Sequence, residues 1–266
     1  MTTTLLTRQG IWVDERGNGP PVLLIAGLGD PAEAWTFQQE ELSSRYRTIA
    51  FDNRGVGRSP LPATPLTVGG MADDAATILD ELGIDQADIV GFSGGSVTAQ
   101  ELALRHPDKV RSLVLVGTFG KGDPDFDAVI RMFTWMMDQA PTPHAFLEAF
   151  YLWIYTAQAY ENGFVNQLIE DALAFPHQQS LESMHQQLDA WAHHNTLDRL
   201  GGVAAPTLVI AGGKDLVCPP RLGKAVADAI PGAQFEEWPE AAHQPFQEEP
   251  ARFNARLEAF WTSLQR

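Results

Sequence analysis

Val90-Gly91-Phe92-Ser93-Gly94-Gly95-Ser96, "VGFSGGS", holds one serine inside a run of glycines, and its flanks decide what that run is. On the left, "ADIVGF" is a short apolar stretch with strand character. On the right, "SVTAQELALRHP" sets Val97, Leu102 and Leu104 among alanines in a helix-compatible segment closed by Pro107. A flexible linker does not join a strand directly to a helix. A turn too tight for bulky neighbours does, and it would hold Ser93 out of the fold.

The same alternation runs outward from this point. "LLTRQ" and "IWVDERG" read as an opening antiparallel hairpin. "PVLLIAG", "YRTIAFD", "VRSLVLVG", "APTLVIAGG" and "AQFEEWP" read as strands, and helix-like segments separate most of them. That rhythm predicts an α/β fold: a mostly parallel sheet with helices on both faces. Residues 121–200 break the rhythm. They are helical in pattern and rich in aromatics, among them Phe133, Trp135, Phe146, Phe150, Tyr151, Trp153, Phe175 and Trp191. The expected organisation is a core of residues 1–120 and 201–266 carrying a mainly helical insertion at 121–200. Lying over the C-terminal strand ends, where open α/β sheets bind ligands, some of those aromatics would line an apolar pocket.

Composition narrows the partners. The 266-residue chain carries 18 basic and 34 acidic residues, a formal net charge of −16, so nucleic acid and anionic membrane would repel it. The N-terminal stretch lacks the pattern of a signal peptide, no run is long enough to span a bilayer, and Cys218 is the only cysteine, which excludes an intrachain disulfide. A cytoplasmic location is the expectation. No metal is expected, since there is no H-E-x-x-H and His193 and His194 are adjacent.

Gly91-Phe92-Ser93-Gly94-Gly95 fits G-x-S-x-G, with a strand before it and a helix after it. In such a nucleophile elbow the serine sits at a strained turn beside a helix N-terminus. A serine hydroxyl becomes a useful nucleophile only when an oriented base takes its proton. Elbow enzymes supply the partners in the order Ser, acid, His. Asp215 follows one late strand and His243 the next, both on the sheet edge that carries Ser93. Asp123, after the preceding strand, is an alternative acid. The main-chain N–H groups of Gly94 and Leu28, the latter in "AGLGD", are the candidate oxyanion donors.

From "GNGPPVLLIAGLGD" through "FDNRGVGRS" to "EAAHQPFQEEPARFNARLEAFW", nearly the whole chain resembles the α/β-hydrolase superfamily. Within it, the chain is similar to compact, capped esterases and lactonases of the 3-oxoadipate enol-lactonase type. The resemblance implies Ser93 as nucleophile, Asp215 as acid, His243 as base, residues 121–200 largely as a cap, no cofactor, and a small-molecule ester or lactone substrate. It also implies that Asp52 and Arg54 shape the loop after their strand. Two positions depart from the family pattern: Ala26-Gly27 stands where His-Gly is usual, and Gly94 where a bulkier residue is usual. C–C bond hydrolysis and perhydrolysis fit the same residues. Outside this class stand a non-catalytic ligand receptor and an NAD(P)-binding oxidoreductase. The latter rests on Gly27-x-Gly29-x-x-Ala32 after a strand with Asp52 ending the next, although Asp30 and Pro31 suit a pyrophosphate poorly.

Overall fold

In the computed structural model, which describes residues 2–264, eight strands form one sheet. They are β1 (Thr2–Leu6), β2 (Trp12–Arg16), β3 (Pro21–Ile25), β4 (Arg47–Phe51), β5 (Ala87–Phe92), β6 (Val110–Val116), β7 (Thr207–Gly212) and β8 (Gln234–Trp238). Their spatial order is β1-β2-β4-β3-β5-β6-β7-β8. The β1–β2 and β2–β4 pairs are antiparallel and every other pair is parallel, so the opening hairpin extends a parallel sheet.

A parallel sheet covered on both faces needs apolar residues at every position of its central strands, and β3 shows why. Side chains of successive strand residues point to opposite faces. Leu23 and Ile25 join one buried cluster, built with α2 (Val68–Glu81), α3 (Gly94–Arg105) and α9 (Pro220–Ala229). Val22 and Leu24 join the cluster on the other face, where α1 (Thr36–Leu42), α10 (Pro245–Glu248) and α11 (Pro250–Leu264) contribute Leu42, Phe246 and Phe260. The helix ends obey local rules. Thr67 caps α2 by accepting from the Gly70 N–H, and α3 stops at Arg105, just before Pro107.

Between β6 and β7 the chain forms α4 (Pro124–Gln139), α5 (Pro143–Tyr151), α6 (Ala157–Glu161), α7 (Phe164–Ala174) and α8 (Leu181–Ala192). These helices share a third apolar cluster, which includes Phe126, Phe133, Tyr155 and Trp191 and reaches Val97 of α3 and Leu222 of α9. No helix among the described residues is long and apolar enough to cross a membrane.

Leu24, fully buried in the central sheet, and Leu6, 64% exposed on the edge strand, provide a contrast. Leu24→Ala is expected to cost about 2–5 kcal/mol in urea unfolding. Leu6→Ala should stay within about 0.5 kcal/mol.

Candidate active site

Ser93 follows β5 directly and precedes the first residue of α3. Its backbone adopts φ 51°, ψ −125°, and it is the only non-glycine residue with positive φ among those described. Such a conformation strains an L-residue, so the surrounding chain must hold it. The Ser93 N–H donates to Val116 O of β6 (2.9 Å), and the Ser96 N–H returns to Ser93 O (2.9 Å). The turn is tight enough to exclude side chains. A Cβ on Gly95 would lie 2.3 Å from the Ala26 carbonyl oxygen at the end of β3.

Three side chains from separate loops meet there. His243, in the loop after β8, places Nε2 3.0 Å from Ser93 Oγ and Nδ1 2.7 Å from Asp215 Oδ2. Asp215, after β7, is buried, and its other oxygen accepts from the N–H groups of Val217 and Cys218, both at 2.8 Å. Those two bonds fix the carboxylate, which in turn fixes the ring. The His243 N–H donates to Ile154 O of the inserted segment (3.0 Å), so its loop is held from above as well. An imidazole between a buried carboxylate and an alcohol can take the alcohol's proton while the carboxylate stabilises the resulting cation.

Asp123 is not brought to this group. It caps α4 through the Phe126 N–H (2.8 Å) and pairs with Arg221 (2.9 and 3.1 Å), interactions that hold its carboxyl below the usual range. Leu28 and Gly94 line the same cavity as Ser93 and His243. Neither of their N–H groups is bonded to another described residue. They can therefore serve an anion. Trp191 of α8 supplies a reason for glycine at 94: a Cβ there would lie 2.2 Å from Trp191 Cε3. The indole is held in place by donation from Nε1 to Thr98 Oγ1 (3.1 Å).

The loop after β4 braces the loop that carries Leu28. Asp52 accepts from the N–H groups of Ala32 and Arg58 (both 2.8 Å), Asn53 donates to Ala26 O (3.0 Å), and Arg54 pairs with Asp74. The Ala32 N–H is thus committed to a carboxylate. No cluster of three or more metal-ligating side chains occurs among the described residues.

Two cavities meet at the site. An inner one of about 50 Å³ is bounded by Ser93, His243, Phe133 and Trp191; an outer one of about 590 Å³ lies toward Phe146, Phe175 and Met184. Leu28, Asp30, Phe150 and Tyr151 border both. The aromatics of 121–200 are therefore divided in use, since Trp135 is 61% exposed. In the sequence, Asp30 stands out only as an obstacle to phosphate. Its Oδ2 accepts from Gln244 Nε2 (3.0 Å), and Gln244 is in turn bonded to the Tyr155 hydroxyl. Burial pushes the Asp30 carboxyl up to about 7, against the opposing effects of His243 and the Gln244 hydrogen bond. Nothing in the spacing marks Asp30; only the fold turns it into the pocket.

A family model described as the alpha/beta hydrolase fold matches residues 20–250. "Putative non-heme bromoperoxidase BpoC" of Mycobacterium tuberculosis is 33% identical over 95% of this chain and 97% of its own length. Among solved structures, the enol-lactonase of Burkholderia xenovorans superposes with TM-score 0.85 at 28% identity, covering 98% of this chain and all of that one. A thermophilic esterase from Thermogutta terrifontis gives TM-score 0.84 at 26% identity over the whole of both chains.

Asp30 also yields a stability test. Its folded value, about 7, lies above the ordinary 3.8, so between those values the folded state binds more protons than the unfolded one. Stability contributed by this group is then lost as pH rises through that window. Asp30→Asn removes the loss. The variant's Tm should gain on the parent's by several degrees between about pH 4 and about pH 8, as read by thermal melts. A constant difference across that range would count against it.

Proposed function

The chain belongs to the α/β-hydrolase family, and from that premise we propose that it is a serine hydrolase that cleaves a carboxylic ester or lactone of a small, largely apolar substrate. The observation that carries the proposal is the unbroken contact from Asp215 through His243 to Ser93, at 2.7 and 3.0 Å. In this reading His243 takes the Ser93 proton as Oγ attacks the substrate carbonyl. The Leu28 and Gly94 N–H groups receive the oxyanion, each worth roughly 10²–10³ in turnover. The leaving alkoxide departs with the proton from His243. Water, deprotonated by the same imidazole, then releases the acid and restores Ser93. Residues 121–200 act as a cap that keeps the acyl-enzyme in an apolar chamber, and no cofactor takes part.

The enol-lactonase and esterase likenesses favour ester-type substrates. The bromoperoxidase relative favours one second reading, in which hydrogen peroxide replaces water as the deacylating nucleophile and a peracid leaves.

Ser93→Ala should abolish p-nitrophenyl acetate and butyrate cleavage with an unchanged circular dichroism spectrum. A fluorophosphonate probe should label Ser93 by peptide mapping, and unchanged turnover in the Ala variant would remove the mechanism. Asp215→Asn should lower kcat by about 10³–10⁴, whereas Asp123→Asn should keep it within about threefold. Equal losses would reverse the assignment of the acid.

A further inference from the structure

Among the described residues, Asp30 is the one acidic residue bordering either cavity, and it borders both. Among the described residues, no Lys or Arg lines either chamber and Asp30 takes part in no ion pair. Gln244 satisfies Oδ2, while Oδ1 has no hydrogen-bond partner among the described residues, and Asp30 is half-buried. The nearby Tyr151 hydroxyl does not supply a charge, because burial, with the Asp30 carboxylate second, pushes its ionisation up. A carboxyl held in an apolar chamber without a cation costs stability whenever it ionises, which is why its pKa is displaced upward. A ligand that brought the missing cation would remove that cost.

We propose that Asp30 is a substrate-reading residue: on the border the two chambers share, its second oxygen receives a protonated amino group carried on the longer arm of the ester. The inference rests on the ester-cleaving reading above and deepens it. The inner chamber, at about 50 Å³, takes only a small group beside Ser93, while the outer one, at about 590 Å³, takes an aryl- or alkyl-sized arm that must pass Asp30. Phe146, Phe150 and Phe175 give that arm apolar contact, and among the described residues Asp30 is the single acidic side chain along the route. A net charge of −16 also favours the approach of cations over anions.

The test uses two matched pairs of esters on the full-length protein. One pair is 4-(2-aminoethyl)phenyl acetate against 4-propylphenyl acetate. The other is p-nitrophenyl 6-aminohexanoate against p-nitrophenyl heptanoate. In the parent protein, kcat/KM should favour the amine by about tenfold or more in at least one pair, chiefly through KM, as a charge-assisted hydrogen bond gives. The isosteric Asp30→Asn should collapse that ratio to about twofold or less, and Asp30→Glu should restore part of it. The parent ratio needs no variant, so a misfolded variant does not spare the proposal. Cleavage of the neutral esters through Ser93 without preference for the amine in either pair overturns this inference and leaves the ester-cleaving reading standing. An amine preference that persists in Asp30→Asn also overturns it. Failure of all four esters, with no labelling of Ser93, brings down both.

Discussion

One close approach governs the rest of the structure: α3 begins so near the end of β3 that the chain at 91–95 must turn without side chains. Gly95 lets the helix start pass against Ala26 O, and Ser93 takes a left-handed conformation that its hydrogen bonds to the flanking backbone maintain. Three outcomes follow from that single constraint. The hydroxyl is lifted to the sheet edge, the first N–H groups of α3 open onto the same space, and the loop carrying Leu28 is drawn within reach. Moving α3 outward by the width of a methyl group would separate all three. The strain at Ser93 is compensated elsewhere, in a central sheet whose strands are buried on both faces.

Most of the architecture was legible because its signals are local. Strands buried on both sides must be apolar throughout, and β3, β5, β6 and β7 are read from that alone. The G-x-S-x-G turn between a strand and a helix located Ser93, and chain order with strand ends located Asp215 and His243. Spacing alone left Asp123 open beside Asp215, and it was the family resemblance that pointed to Asp215. Both carboxylates follow strands, and only the packed structure shows that one receives two backbone N–H groups beside His243 while the other caps a helix and pairs with Arg221. Gly94 looked like a departure from the family pattern. Its reason lies about a hundred residues away in Trp191, a contact that no reading of neighbouring residues contains.

Asp30 was equally hidden. An acid after a strand is unremarkable in sequence, and its significance comes from what surrounds it: Gln244 on one oxygen, aromatic side chains nearby, and neither Lys nor Arg among the described residues that line the chambers. The chain tolerates an unpaired acid there. Asp52, one strand over, shows the alternative, since its carboxylate is taken up by the Ala32 and Arg58 N–H groups and the Arg58 guanidinium and braces a loop. Two carboxylates at the same sheet edge thus do different work, and hydrogen-bond occupancy distinguishes them.

The bond from the His243 N–H to Ile154 O ties the imidazole's own backbone to the roof above it. A roof built as a separate lid could swing without consequence for the groups beneath. Here the two are stitched together, so a displacement of the inserted segment at Ile154 is felt by the loop that carries the imidazole.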